Sequence, residues 1–401
     1  MEDNAINIAL RAARKVNASD LHITTDQVPA IRYHGGIIRP GTDPRYSNST
    51  EFDPIFKQKI SGSDIREFLK LALEPIGGTE MLQTTGVADC AFDGKDDFGP
   101  TRVHAFAEAS GMRIAIRLLA MSVPKFETLG LPEVILKTAR RQSGLILFCG
   151  PTGSGKSSAQ AAVLQNIADD TDSHIITLED PIEYRLRSTR AIVSQVEVGP
   201  HSHVRSFADG LRGVLRSDPD VLLIGECRDP ISMAAGIELA EQGRMVSTSV
   251  HARDASSVFD RIIGSFPGDA QPQVRVQLAN SISMVVVLRL LPRKDGQGRV
   301  AACEVLVVTD AVRALIRDDK PHEIRNALVS GKQEGSQTLE SDLMRLVNAN
   351  VVDIEVARRA AIRPEEVRPG AATSDSGALS GATGRSVGVR PVYSTPAATA
   401  R

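Results

Sequence analysis

The sequence predicts an α/β fold in two parts, a small α/β unit followed by a larger domain built on a mainly parallel sheet. Short apolar runs alternate with helical patterns over residues 133–308, which is typical of a parallel sheet covered by helices on both faces. A glycine-rich loop separates one such run from the helical pattern that follows it. Apolar residues make up 42% of the 401 residues, enough to bury a core in each of two domains.

Residues 1–122 are predicted to form the small N-terminal domain. A helical pattern begins at Ile6, and a second helix is expected over residues 63–73. Alternating apolar and polar residues predict strands in "DLHIT", "PAIRYHGGII", "GVADCAF", "RVHAFAE" and "MRIAIRLLA". Two prolines and a glycine then mark residues 123–132 as a hinge.

The larger domain is predicted to span residues 133–367. Its strands are expected in the runs "LILFC", "HIITLE", "VLLIG", "MVSTSV" and "MVVVLRLL", with helical segments after residue 308. Beyond it, 21 of the last 32 residues are Gly, Ala, Ser or Thr. That composition buries too little apolar surface to fold, so residues 368–401 are predicted to be a disordered tail.

Charge and apolar patterning exclude several classes of protein. The net charge of −2 gives no overall basic field for nucleic acid or an anionic membrane. No apolar run reaches the length of a membrane-spanning helix, and "MEDNAINIALRAARKV" does not resemble a signal peptide. We therefore expect a cytoplasmic protein without a membrane span. The four cysteines are scattered, which indicates isolated buried thiols and neither a zinc site nor a disulfide framework.

The glycine-rich loop fits the pattern G-x-x-x-x-G-K-[ST], and a strand precedes it while a helix follows, which is the context the motif requires. Its backbone N–H groups cradle phosphates, Lys156 reaches the β and γ phosphates, and the Ser157 hydroxyl binds Mg²⁺. A plain glycine-rich turn is the alternative. Phosphate binding alone does not distinguish a kinase, a GTPase or a motor. The predicted ATP-binding residues are Gly150, Pro151, Thr152, Gly153, Ser154, Gly155, Lys156, Ser157 and Ser158.

Three later segments place polar side chains at strand ends, where ligands of α/β proteins bind. "HIITLEDPIEY" supplies Glu179 and Glu183, either of which could orient the attacking water or help to hold Mg²⁺. "VLLIGE" delivers Glu226 beside the loop as a Walker B carboxylate, and "MVSTSV" ends at His251, which could sense the γ-phosphate. The alternatives are a solvated loop, an incidental glutamate and a core histidine.

Together these segments resemble the ATPases of type II and type IV secretion systems, the group that includes the type IV pilus retraction motor PilT. "GPTGSGKSS" is similar to the Walker A motif of that family, "ITLEDPIEY" to its aspartate box, "LRSDPDVLLIGECRD" to its Walker B motif and "STSVHA" to its histidine box. The resemblance covers residues 15–362. It implies a PAS-like N-terminal domain, a RecA-like motor domain and a ring of six subunits that hydrolyses ATP with Mg²⁺.

Within this family the sequence looks most similar to the DotB/TraJ branch of type IVB secretion and conjugation. That assignment rests on an extra loop over residues 39–60, on "ELAEQGRMVSTSVHA" and on the lack of a cysteine-paired zinc module. Two positions depart from the pattern. Arg244 follows Gly243 where PilT-like motors usually have histidine, and Cys227 replaces a bulky apolar residue. We expect no chemistry from Cys227.

The resemblance also implies that cations from an adjacent subunit complete each site, where they offset phosphate charge in the transition state. Arg113 and Arg117 are the first candidates, because residues four apart on a strand share one face; an ordinary solvated sheet face is the alternative. The implied partners are copies of the chain itself and the inner-membrane platform of a secretion or pilus machine, to which the protein would be peripheral.

Other function classes remain open at this stage. A RecA-like helicase or nucleic-acid translocase is the main alternative, but such proteins usually show a basic channel or stacking aromatic residues, and aromatic residues are only 4% of this sequence. A non-catalytic nucleotide-sensing scaffold is the other. The sequence leaves open whether protein or DNA is secreted and in which direction the motor works.

Overall fold

The computed structural model describes residues 4–368, apart from 34–35, 48, 75–77, 95–96, 142, 200–201, 228 and 297. The chain divides into two compact units. The first unit comprises Met1–Ser122, Pro181–Arg185 and Glu197–Arg205, and the second comprises Val123–Asp180, Leu186–Val196 and Ser206–Arg401. The predicted disordered tail covers residues 368–401, of which 369–401 lie outside the described residues.

The first unit is a six-stranded antiparallel sheet covered by helices, with the strand order β3-β2-β1-β6-β5-β4. One face of the sheet packs into the core through Leu21, Ile23, Ile114 and Ile116, all fully buried. Its elements are α1 Ala5–Lys15, β1 Asp20–Thr24, β2 Ala30–Tyr33, β3 Gly36–Ile38, α2 Gly62–Leu73, α3 Gly78–Thr85, β4 Val87–Asp93, β5 Pro100–Glu108 and β6 Gly111–Leu118.

The second unit is built on a seven-stranded sheet with the order β13-β12-β7-β11-β10-β8-β9. Strands β12, β7, β11, β10 and β8 pair in parallel, and β13 runs antiparallel to β12. The predicted α/β fold with a mainly parallel sheet is confirmed. The strands are β7 Gly144–Cys149, β8 His174–Glu179, β9 Ile192–Glu197, β10 Val221–Ile224, β11 Met245–Val250, β12 Ile282–Pro292 and β13 Arg299–Val307.

Helices cover this sheet because its central strands are buried on both faces. All residues of β7, β10 and β11 are buried, so neither face of these strands is exposed to water. The helices are α4 Val134–Ala139, α5 Lys156–Asp170, α6 Phe207–Val214, α7 Pro230–Glu241, α8 Ala255–Gly264, α9 Gln271–Ser281, α10 Asp310–Arg317, α11 Ile324–Ser330, α12 Leu339–Asn348 and α13 Ile354–Ala360. None of the helices that the structure describes is both long and apolar enough to cross a membrane.

The segment predicted as a hinge is partly anchored in the second unit. Phe126–Leu129 forms a short 3₁₀ helix, and Phe126, Leu129 and Leu131 are buried in the apolar core of that unit. Two short stretches downstream of the P-loop, Pro181–Arg185 and Glu197–Arg205, group with the first unit. A rotation at residues 123–132 stays a prediction.

Candidate functional site

The glycine-rich loop lies between the buried strand β7 and helix α5 of the second unit. Gly150 has φ 137°, and a Cβ atom there would lie 2.5 Å from the carbonyl oxygen of Leu288 and 2.6 Å from Ser154 Oγ. Gly155, with φ 96°, stands at the N-terminal end of α5, and no described side chain caps this helix. The first-turn N–H groups of α5 are therefore a site for an anion such as a phosphate.

Two polar side chains of the loop differ in their hydrogen bonding. Lys156 Nζ donates hydrogen bonds to the carbonyl oxygens of Gly150 at 2.9 Å and Pro151 at 3.0 Å, so its ammonium group lies over the loop. Ser154 is 4% exposed, and its hydroxyl oxygen has no hydrogen-bond partner among the residues that the structure describes. A buried hydroxyl normally has a partner, so this loop has unused hydrogen-bonding capacity.

His251 joins two of the segments singled out in the sequence. Its Nε2 atom lies 3.0 Å from Glu226 Oε1, and its Nδ1 atom lies 3.2 Å from the carbonyl oxygen of Gly150. A carbonyl and a carboxylate both accept hydrogen bonds, so the ring can act toward each of them only as a donor. The imidazole thus links the end of β10, the end of β11 and the P-loop.

Glu179 lies at the end of β8, the strand next to β10. Its Oε1 atom accepts hydrogen bonds from Thr177 Oγ1 at 2.7 Å and from Gln195 Nε2 at 3.0 Å. Two donors on one carboxylate oxygen fix the orientation of the side chain. Glu183 is exposed and belongs to Pro181–Arg185, which groups with the first unit. The part that either glutamate plays in catalysis stays a prediction.

The two predicted arginines lie four positions apart on β6 in the first unit. Ile114 and Ile116 point into the core, so Arg113 and Arg117 occupy the opposite face of the sheet. Arg117 Nε is 3.0 Å from Asp20 Oδ1, and the Arg113 guanidinium lies 5.9 Å from the ring centre of Phe106. Their proposed role toward a neighbouring subunit stays a prediction.

Cys227 is partly buried next to Glu226. Burial raises the pKa of its thiol to about 12, although a hydrogen bond from Thr248 opposes the shift. A thiol with that pKa stays protonated at neutral pH and is a poor nucleophile or metal ligand. The expectation that Cys227 has no chemical role stays a prediction.

Two cavities adjoin these residues, and the sequence did not indicate either of them. A narrow apolar slot lies beside Ser154, Gly155 and Ser158 of the loop, and it is lined further by Leu129, Leu131, Leu288, Leu290, Arg299 and Ala301. A second cavity, of about 650 Å³, contains Glu226 and His251 together with Asp229, Asp260 and Arg261. Their lining comes from segments far apart in the chain, which only the tertiary fold brings together.

Sequence reasoning also missed two buried polar contacts near the loop. Gln160 Nε2 donates to Ser247 Oγ at 3.1 Å, which ties α5 to β11. Glu304, only 1% exposed on β13, accepts a hydrogen bond from the N–H group of Ala255 at 2.7 Å. The only signal in the sequence was a glutamate inside the apolar run "CEVLVV".

Residues 100–361 match the family described as "Type II/IV secretion system protein". The chain belongs to this family. It is 34% identical to the type IV pilus retractation ATPase PilT of Pseudomonas aeruginosa over 89% of this chain and 98% of that protein. A crystal structure of the pilus retraction motor PilT with bound ADP aligns with a TM-score of 0.79 and 33% identity, covering 90% of this chain and 98% of its own.

A crystal structure of the ATPase DotB from Legionella pneumophila aligns with a TM-score of 0.69 at 24% identity, over 86% of this chain and 92% of its own. At that identity the likeness shows the shared fold alone. Family membership confirms the predicted superfamily and the expectation of an ATPase that serves type IV secretion or pilus machinery. The narrower DotB/TraJ assignment stays a prediction, since the similarity to PilT is higher in both identity and TM-score.

Proposed function

We propose that the chain is a Mg²⁺-dependent ATPase that assembles as a homo-hexamer and converts ATP hydrolysis into mechanical work on a type IV secretion or pilus machine. The observation that supports this chemistry is the position of His251 between the Gly150 carbonyl and Glu226. A side chain in contact with both the phosphate loop and the Walker B carboxylate can respond to whether a γ-phosphate is present.

The loop would bind the triphosphate of ATP. The N–H groups at the start of α5 and the ammonium of Lys156 oppose the phosphate charge. The apolar slot beside Gly155 would take the base, with Leu288 and Leu290 against one side of it. Because the slot presents few polar groups, we expect it to select for size and stacking more than for hydrogen bonds.

Mg²⁺ fits the oxygen donors at this site. Ser157 and Glu226 would hold the ion, partly through water, and the ion would supply positive charge toward the phosphates. Mg²⁺ keeps several waters and needs few protein ligands. A site with one hydroxyl and one carboxylate therefore matches its requirements.

The remaining roles are assigned as follows. Glu183 is the first candidate for orienting the attacking water, and Glu179 is the alternative, with its carboxylate already fixed by Thr177 and Gln195. Arg113 and Arg117 from a neighbouring subunit would offset charge that develops on the phosphates. The mechanical partner would be the inner-membrane platform of the secretion or pilus machine, and the conjugative branch is the narrower form of the same proposal.

The test is phosphate release by the purified full-length chain and by two matched pairs of variants. Lys156→Ala and Glu226→Gln should each lower turnover by about a hundredfold or more. Lys137→Ala and Glu334→Gln, at exposed positions of the same unit, should turn over like the wild type. Unchanged turnover in Lys156→Ala would refute motor chemistry at this loop, and stimulation by single-stranded DNA would favour the translocase alternative.

Partner and oligomer are tested separately. Glu226→Gln should trap ATP and prolong binding to the platform, so this variant should co-purify with platform proteins from cells. Glu334→Gln should not enrich platform proteins beyond the wild type. Light scattering with ATP should give the mass of six chains. Trapped protein that carries no platform protein would count against the secretion role.

A further inference from the structure

The β12–β13 hairpin holds the segment that carries His251 at two points. This segment, residues 251–254, runs from the end of β11 to the start of α8. Glu304 Oε1 accepts a hydrogen bond from the N–H group of Ala255 at 2.7 Å, and Arg289 Nη2 donates to the carbonyl oxygen of Arg253 at 3.3 Å. In the hairpin, Glu304 pairs with Val287 and Arg289 pairs with Ala302, so both side chains lie on one face.

Glu304 is costly to bury, and helix capping alone does not require it. Asp254 already caps α8, since its side chain accepts a hydrogen bond from the N–H group of Ser257 at 2.8 Å. Glu304 adds a second acidic group at the same helix end while being 1% exposed. A buried carboxylate destabilises a fold unless its contacts compensate. This unfavourable burial indicates that the hydrogen bond between Glu304 and Ala255 has a role in addition to capping α8.

Charged groups of both signs surround Glu304. Burial is the main cause that raises its pKa to about 7, and the like charges of Asp254 and Glu340 raise it further, while the Ala255 hydrogen bond and Arg325 lower it. Arg325 also contacts Glu340 at 3.4 Å. These groups come from the three helices packed against β13, namely α8, α11 and α12. The carboxyl group therefore exists in both protonation states near neutral pH.

We propose that Glu304 is a positioning residue for His251. By fixing the N–H group four positions after the histidine, it sets the position of the His251 ring between Glu226 and Gly150. The ionised carboxylate is the stronger acceptor and also interacts with the positive end of α8, so it holds the segment more firmly than the protonated form does. This inference rests on the hydrolysis proposed above, because its readout is turnover.

The test compares Glu304→Gln and Glu304→Leu with variants of Asp342, which is also buried and accepts a hydrogen bond from the N–H group of Cys303 at 2.9 Å. Glu304→Leu removes the acceptor, so kcat should fall about tenfold or more while KM for ATP changes less than about threefold. Asp342→Leu should lower the melting temperature to a similar extent and leave kcat within about threefold of the wild type.

Glu304→Gln keeps an acceptor oxygen and cannot ionise. The wild type should gain turnover between about pH 6 and pH 8, and this part of the profile should flatten in Glu304→Gln but persist in Asp342→Asn. The Gln variant keeps the proposal testable if Glu304→Leu does not fold. A kcat loss in Asp342→Leu equal to that in Glu304→Leu, or identical pH profiles for Glu304→Gln and wild type, would overturn it. Absence of turnover in the wild type would instead refute the proposed function, and this inference with it.

Discussion

Replacing Glu304 with glutamine should change how the stability of the fold depends on pH. Burial raises the pKa of this carboxyl group from 4.5 to about 7 in the folded chain. The folded state therefore binds the proton more tightly than the unfolded state does, and the contribution of Glu304 to stability falls as pH rises from 4.5 to 7. At about 1.4 kcal/mol per pKa unit, the loss across that window is about 3 kcal/mol.

Glutamine has no charge to desolvate, so its contribution is independent of pH. The difference in free energy of unfolding, Glu304→Gln minus wild type, should therefore increase by about 3 kcal/mol between pH 4.5 and pH 8. The assay is guanidinium unfolding followed by far-UV circular dichroism, because the chain has no Trp. Glu334→Gln, at an exposed site, should follow the wild type throughout. Parallel curves for Glu304→Gln and wild type would show that Glu304 ionises normally and that the reasoning from burial is mistaken.

Three further substitutions test the site. Gly150→Ala should abolish nucleotide binding, measured with a fluorescent ATP analogue, because the new Cβ would lie 2.5 Å from a backbone carbonyl oxygen at φ 137°; binding within about threefold of wild type would contradict this. His251→Ala should lower kcat about tenfold or more with little change in KM, since it breaks the link to Glu226; a change in KM alone would count against that link. Arg117→Ala should change the free energy of unfolding by less than about 1 kcal/mol, because its guanidinium is largely exposed. It should nevertheless lower turnover, because the role proposed above places Arg117 at the site of a neighbouring subunit.

The sequence predicted those parts of the candidate site whose residues lie close together along the chain. The glycine-rich loop was readable because its glycines and Lys156 lie at fixed spacings within one short segment, and in the structure Gly150 and Gly155 have positive φ angles. The strands that end at Glu179 and Glu226 were also readable, since each is a short buried apolar run followed by a carboxylate. These features depend on neighbours along the chain, so no knowledge of the fold was required.

Other features were beyond the sequence. Strand β13 was not among the predicted runs, although it carries Glu304 and pairs antiparallel with β12. The hinge prediction rested on prolines and a glycine, but burial of Phe126 and Leu129 ties part of that segment to the second unit. Periodicity reports which residues are apolar, and it does not report which element they pack against.

The sequence by itself determined the fold class, the position of the glycine-rich loop between a strand and a helix, and the order of the acidic strand ends, because each is encoded by short-range spacing and by the burial of apolar runs. Tertiary structure alone decided that His251 contacts both Gly150 and Glu226. It also decided that Glu304 reaches the start of α8 across 49 positions of the chain. Such contacts depend on strand order and register, which place distant residues a hydrogen bond apart and have no counterpart in local sequence.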